Sequence, residues 1–165
     1  MDASLSRRGC LGLALAVAGL GGCSRLEAPA DVAYTLLDGR PGALRDLRGQ
    51  VVMVNFWATS CAICVAEMPQ LVATHRRFDA RGLRTLAVAM SYDPPALVAR
   101  YAEREKLPFG VVIDNTGAVA RAFGDVRLTP TGFVLDRQGR VAHQWTGAPD
   151  LADLHRRLDR LLAAA

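Results

Sequence analysis

Two cysteines three positions apart are the strongest candidates in this chain for a reactive site, because such a pair can carry out thiol–disulfide exchange. Cys61 and Cys64 form a C-x-x-C pair that follows an apolar run and opens a predicted helix. The unpaired N–H groups and the dipole of a helix N-terminus favour a thiolate, so Cys61 is predicted to be the exposed nucleophile. Cys64, one turn deeper, is predicted to resolve the mixed disulfide that Cys61 forms.

Metal binding and peroxidase chemistry are the alternative uses of such a pair. A structural zinc site normally needs four nitrogen or sulfur ligands, and no second C-x-x-C pair is present to complete one. A copper(I) carrier stays open, because two soft thiolates bind that ion. A peroxiredoxin-like peroxidase is also considered, although neither cysteine is preceded by the Pro-x-x-x-Thr-x-x-Cys pattern. The preferred interpretation is a redox-active disulfide with no metal and no other cofactor.

Glu67 is the candidate general base for this pair. It follows Cys64 by three residues and lies at the edge of the apolar stripe of the predicted helix. Partial burial would raise the pKa of its carboxyl toward neutrality, as a base for Cys64 requires. The alternative is an ordinary solvated helix charge. His75 is eleven residues from Cys64, or about 16 Å along a helix, so we predict a core or boundary residue there.

The elements that must position these residues follow from the hydrophobic pattern. The apolar run Val51–Trp57 predicts a central strand buried on both faces, and three- and four-residue spacing predicts a helix over 62–79. Further strands are predicted at 83–90, 109–113, Thr131–Leu135 and Val141–Thr146, after an extended segment at 32–37. Further helices are predicted at 94–106, capped by Asp93, at 118–123 and at 151–162. The fold class is therefore α/β, with a mixed central sheet and helices on both faces.

The N-terminal residues have the layout of an export signal. Two arginines at positions 7 and 8 precede an apolar stretch at 11–20, two glycines and Cys23. Residues 20–23 resemble a bacterial lipobox, which implies that Cys23 is acylated; residues 6–11 resemble, less closely, a twin-arginine motif. We therefore predict a lipoprotein signal peptide at 1–22, a lipidated tether at 23–30 and one domain at 31–165. A buried N-terminal helix is the alternative.

Length and charge exclude several classes of protein. With 165 residues, of which 51% are hydrophobic, the chain suits one globular domain. No apolar run reaches the roughly 18 residues that a membrane-spanning helix needs. The formal charge of +4 comes from scattered basic residues interleaved with Asp and Glu, so nucleic acid is not an expected partner.

A family resemblance is carried by segment 55–64, which reads N-F-W-A-T-S-C-A-I-C, followed by Glu67, Met68 and Pro69. This pattern resembles the active-site segment of TlpA/ResA-type thiol-disulfide oxidoreductases, thioredoxin-like proteins tethered to membranes of the bacterial cell envelope. The resemblance continues through 128–131 and 133–139, and implies a thioredoxin-like fold. Ser60 replaces a second tryptophan usual in the family, and Ile63 replaces a frequent proline. Both substitutions bear on redox potential and substrate preference.

The resemblance also implies roles for individual residues. Glu67 matches a glutamate that handles the proton of the buried cysteine. Thr129 and Pro130 resemble the cis-proline loop that faces the dithiol and leaves the Thr129 backbone free to pair with a substrate strand. Trp57 is interpreted as a packing wall beside the thiols that also contacts substrate.

Dithiol–disulfide exchange on protein substrates outside the cytoplasm is the function that the resemblance implies. A reductase is favoured, placed in the bacterial cell envelope on the periplasmic side and lipid-anchored. Its partners would be thiol- or disulfide-bearing envelope proteins, and its electrons would come from a membrane donor of the CcdA/DsbD type. The family's substrates include apocytochrome c and copper-site cysteines.

Overall fold

The computed structural model of the chain describes residues 32–164. The predicted signal peptide at 1–22, the tether at 23–30 and the lipidation site Cys23 lie outside the described residues. Within the described part, none of the helices has the length and apolar character needed to cross a membrane.

A five-stranded mixed sheet forms the centre of the domain. The strands are β3 (Val51–Trp57), β4 (Leu83–Ala89), β5 (Gly110–Ile113), β6 (Thr131–Leu135) and β7 (Val141–Thr146), in the spatial order β5-β4-β3-β6-β7. The pairs β3–β4 and β4–β5 are parallel, whereas β3–β6 and β6–β7 are antiparallel. Strand β3 is central and buried along its whole length, which explains its nearly unbroken apolar sequence.

Helices cover both faces of this sheet. They are α1 (Ala62–Phe78), α2 (Pro95–Arg104), α3 (Ala118–Ala122) and α4 (Leu151–Ala163). Alternate side chains of β3 point to opposite faces. One set, which includes Met53 and Trp57, packs with residues of α1, α2 and α4; the other, which includes Val54 and Phe56, packs with residues of α3 and the N-terminal segment. The predicted α/β architecture is confirmed.

A short N-terminal hairpin adds one element that the sequence pattern did not predict. Strand β1 (Ala33–Thr35) pairs antiparallel with β2 (Pro41–Ala43), and a 3₁₀ helix follows at Leu44–Leu47. Only the first of these strands falls within the predicted extended segment 32–37. A three-residue strand that begins Pro-Gly carries no alternating apolar pattern, so β2 has no sequence signal.

Strand register brings three separated loops to one edge of the sheet. Phe56, near the end of β3, pairs with Thr131 at the start of the antiparallel strand β6. Trp57 pairs with Ala89, the last residue of the parallel strand β4. The turn after β3, the loop after β4 and the loop before β6 therefore meet beside the first residues of α1. Of the predicted site residues, Cys61, Thr129 and Pro130 lie in these loops, Cys64 and Glu67 lie on α1, and Trp57 ends β3.

Candidate active site

Cys61 is the N-cap residue of α1. Its backbone is extended, with φ −89° and ψ 104°, and its sulfur accepts a hydrogen bond from the backbone N–H of Cys64 at 3.2 Å. This N–H is one of the donors that a helix N-terminus leaves without an intrahelical partner. A negative charge on the Cys61 sulfur would therefore be stabilised by a direct donor and by the helix dipole.

The two cysteines form a disulfide and differ in accessibility. Their Cα atoms are 5.2 Å apart. Cys61 is half-buried, whereas Cys64 is 0% exposed. A protein thiol or disulfide can therefore reach the sulfur of Cys61 but not that of Cys64. This asymmetry fits the predicted nucleophilic and resolving roles, which stay predictions.

The loop before β6 faces the disulfide. The Thr129–Pro130 peptide bond is cis, as the resemblance implies, and the carbonyl oxygen of Thr129 lies 3.6 Å from the sulfur of Cys61. Two hydrogen bonds hold this loop in place. The Pro130 carbonyl accepts one from the N–H of Gly147 at 2.8 Å, and the Thr131 hydroxyl donates the other to the Leu128 carbonyl at 2.8 Å. Pairing of Thr129 with a substrate strand stays a prediction.

Glu67 lies in the second turn of α1, on the buried face of the helix. Its side chain is 3% exposed, and neither carboxylate oxygen has a hydrogen-bond partner among the described residues. Burial raises the pKa of Glu67 to about 7, and the neighbouring Asn55 amide, although it does not meet hydrogen-bond geometry with the carboxyl, offsets part of that increase. The burial rules out an ordinary solvated helix charge. The carboxyl can hold or release a proton near neutral pH, although its role as the base for Cys64 stays a prediction.

Asn55 is a site residue that the sequence analysis missed. It is the one polar residue in β3, it is fully buried, and it lies on the face of the strand that packs under α1. Its side chain lowers the pKa of the neighbouring Glu67. The sequence did contain a signal for Asn55, namely a polar amide within an otherwise apolar central strand. Burial of a polar side chain is costly unless it has a partner, so such a residue indicates a polar neighbour in the core.

Trp57 lies below the disulfide rather than at the surface. It is 0% exposed, and its ring packs against that of Tyr101 with 5.0 Å between centroids. This position agrees with the predicted packing wall. The predicted substrate contact of Trp57 stays a prediction.

Asp93 does not cap α2, contrary to the sequence analysis. The N-cap residue is Pro94, and no side chain caps the helix. The buried Asp93 carboxylate instead accepts hydrogen bonds from the backbone N–H of Thr59, at 2.7 Å, and from its hydroxyl. A buried carboxylate needs strong donors, and Thr59 supplies two of them. Asp93 thus fixes the turn that presents Cys61.

His75 is a core residue, as the sequence analysis predicted. It is 7% exposed, and its Nδ1 lies 3.2 Å from the hydroxyl of Thr85. Burial lowers the pKa of His75. The residue lies in the last turn of α1, away from the disulfide at the first turn.

The raised pKa of Glu67 predicts a dependence of stability on pH. The carboxyl has a pKa of 4.5 in the unfolded chain and about 7 in the folded one. Below pH 4.5 it is protonated in both states and does not affect the free energy of unfolding. Between the two values the unfolded state loses its proton first, so the fold is destabilised increasingly as the pH rises, and above the folded pKa the destabilisation is constant. Relative to Glu67→Gln, the wild type should lose up to about 3 kcal/mol of unfolding free energy between about pH 4.5 and pH 8.

Urea unfolding of the oxidised proteins across this pH range measures the difference. Glu103→Gln, at an exposed position of α2, is the matched control and should follow the wild-type profile. Parallel profiles for wild type and Glu67→Gln would show that the carboxyl titrates normally.

Comparisons with known proteins agree with this geometry. A family model described as Redoxin matches residues 26–158. The thiol-disulfide oxidoreductase ResA of Geobacillus thermodenitrificans is 35% identical over 131 residues, which cover 79% of this chain and 74% of the relative. The ResA of Bacillus cereus (strain ATCC 10987 / NRS 248) is 30% identical over 135 residues, covering 82% of this chain and 76% of the relative.

A solved structure of another thiol:disulfide interchange protein has the same fold. The crystal structure of a thiol:disulfide interchange protein of the thioredoxin family from Chlorobium tepidum TLS superposes with a TM-score of 0.75 at 28% identity, covering 84% of this chain and 97% of that one. This confirms the thioredoxin-like fold. The matches in sequence and structure extend over most of the chain, which therefore belongs to the Redoxin family as a thiol-disulfide oxidoreductase of the ResA type.

Proposed function

We propose that this enzyme reduces disulfides of protein substrates outside the cytoplasm. The observation that carries the proposal is the pairing of an accessible sulfur at the N-cap of α1, Cys61, with a fully buried partner, Cys64. One thiol of such a pair meets the substrate and the other completes the reaction within the protein.

The exchange proceeds in two steps. The Cys61 thiolate attacks one sulfur of a substrate disulfide; the new bond joins Cys61 to that sulfur, and the other substrate sulfur leaves as a thiolate. Cys64 then gives up its proton, and its thiolate attacks the Cys61 sulfur. This second step releases the remaining substrate sulfur as a thiolate and leaves the Cys61–Cys64 disulfide. The substrate gains two electrons, which a membrane donor of the CcdA/DsbD type would restore to the enzyme.

Glu67 is proposed to accept the Cys64 proton. The two residues are three apart on α1, so their side chains are neighbours on one face of the helix. A carboxyl with a pKa of about 7 is partly ionised at neutral pH and can receive that proton. Solvent cannot readily take the proton, because both residues are buried.

An apolar rim around Cys61 supports a polypeptide as the substrate. Among the described residues, the large apolar side chains that are exposed are Ile63, Tyr92, Leu97 and Leu128, at 55%, 57%, 44% and 67%. Ile63 lies between the cysteines, Leu128 precedes Thr129, and the Tyr92 hydroxyl lies 3.4 Å from that of Thr129. Exposed apolar side chains gathered around a reactive group indicate a protein-binding surface.

The cellular setting of the proposal comes from the sequence. An export signal at 1–22 and acylation of Cys23 would place the domain on the periplasmic side of a membrane, within reach of a membrane electron donor. Apocytochrome c and copper-site cysteines are the proposed substrate classes, as in the family that the active-site segment resembles.

Trapping tests the proposed roles of the cysteines. Cys64→Ser retains the attacking thiol but removes the resolving one, so mixed disulfides with substrate proteins should accumulate as reductant-sensitive adducts on gels and in mass spectra. Cys61→Ser is the matched control and should trap few adducts, because its remaining thiol is fully buried. Adducts with Cys61→Ser and none with Cys64→Ser would reverse the assignment.

Membrane fractionation tests the proposed anchor. The processed protein should remain with membranes until detergent is added, since several acyl chains anchor stably where one binds only marginally. Cys23→Ala, if exported, should appear in the soluble fraction. Mass spectrometry that finds an unmodified Cys23 thiol in native membranes would contradict the lipid anchor.

A further inference from the structure

A second surface feature lies beside the disulfide and is not used in the exchange chemistry. It is a groove of about 370 Å³ between the beginning of α1 and the outer side of α2, lined by Thr59, Val65, Leu97, Arg100, Tyr101 and Arg104. We call it the arginine groove. Thr59 is two residues before Cys61, and Val65 directly follows Cys64, so the groove starts next to the disulfide.

The arginine groove combines apolar walls with positive charge. Val65, Leu97 and the ring of Tyr101 supply apolar surface, and Leu97 also belongs to the exposed rim around Cys61. Two guanidinium groups, of Arg100 and Arg104, lie among these side chains. A short acidic side chain could place its methylenes against the walls and its carboxylate on a guanidinium.

The charge of this groove is only partly neutralised by the protein itself. Arg104 donates from Nε to Glu105 at 2.8 Å and stacks over Tyr101, 5.2 Å from the ring centroid. Arg100 is exposed and has no carboxylate partner among the described residues. Asp93 is nearby, but it is buried and both of its oxygens accept hydrogen bonds from Thr59. None of the described residues that line the groove carries a carboxylate.

We propose that the arginine groove binds an acidic side chain of the substrate polypeptide, a few residues from the cysteine that Cys61 attacks. This inference rests on the proposed function, since it requires a polypeptide substrate at Cys61. Guanidinium and carboxylate groups form charge-assisted hydrogen bonds of defined geometry, often bidentate. Such a contact next to the reacting sulfur raises the rate of productive encounter and selects substrates with Asp or Glu near the disulfide.

Two matched peptides test the proposal with the reduced full-length protein. Each carries one cysteine in a mixed disulfide with the neutral thiol 2-mercaptoethanol; one peptide has aspartates on both sides of the cysteine, and the other has asparagines. The wild type should react about 3- to 10-fold faster with the aspartate peptide at low salt, and this ratio should shrink as salt is added. Arg100→Glu should bring the ratio to one or below.

Two controls separate the groove from general effects. Arg160→Glu, on an exposed position of α4, makes the same change in net charge and should retain the aspartate preference. Bis(2-hydroxyethyl) disulfide is small and neutral, so its rate of reduction reports the intrinsic reactivity of Cys61 in each protein. This rate should be equal in the wild type and Arg160→Glu, and the aspartate-to-asparagine ratio within each protein removes any change in intrinsic reactivity that Arg100→Glu causes.

The outcomes distinguish this inference from the proposed function. An aspartate preference that survives in Arg100→Glu, or that disappears equally in Arg160→Glu, would overturn the groove as the acidic subsite. Equal rates of the wild type with both peptides would overturn it as well. If the wild type reduces the small disulfide but neither peptide, the proposal of a polypeptide substrate is contradicted. The acidic subsite, which depends on that proposal, is then contradicted as well.

Discussion

The pairing of β3 with its two neighbours, β4 and β6, brings the residues of the site together. Phe56 pairs with Thr131 in β6, and Trp57 with Ala89 in β4, so three loops that are distant in sequence end at one edge of the sheet. A slip of one residue would turn every side chain of β3 to the opposite face and exchange the two cores. The same slip would move the Thr129 carbonyl away from the Cys61 sulfur, from which it is 3.6 Å in the observed register.

The two sulfurs differ in burial, as the proposed division of roles between Cys61 and Cys64 requires. Cys61 meets both solvent and the unpaired donors of the helix N-terminus, so its thiolate is stabilised where a substrate can reach it. Cys64 and Glu67 lie one turn deeper, where desolvation makes any charge costly. In the proposed mechanism a single proton passes between these two buried groups, which would keep the net charge of the pocket unchanged. Burial, which destabilises Glu67 as an anion, favours the protonated form that this proposal requires.

The sequence was sufficient to predict the helices and strands that have a strong hydrophobic pattern. It was not sufficient where the role of a side chain depends on contacts with residues distant in sequence. The apolar run of β3 and the C-x-x-C pair at the following helix were enough to predict the central strand and the asymmetric disulfide. Asp93 was misassigned, because a local capping pattern cannot show that a more distant Thr59 offers two donors to the same carboxylate. Asn55 was overlooked for a similar reason: its importance lies in its neighbour across the strand–helix interface, Glu67. The arginine groove needs two helices to be placed together and is not visible in either one alone.

The direction of electron flow distinguishes a reductase from an oxidant, and it follows from the reduction potential of the Cys61–Cys64 pair. The oxidised and reduced forms can be quantified by thiol trapping after equilibration in redox buffers of known potential at neutral pH. A reductase should have a potential nearer to the value of about −270 mV typical of thioredoxin than to the value of about −120 mV of the oxidant DsbA. A measured potential of about −120 mV would show that the protein is an oxidant, because the pair would then take electrons from most protein thiols.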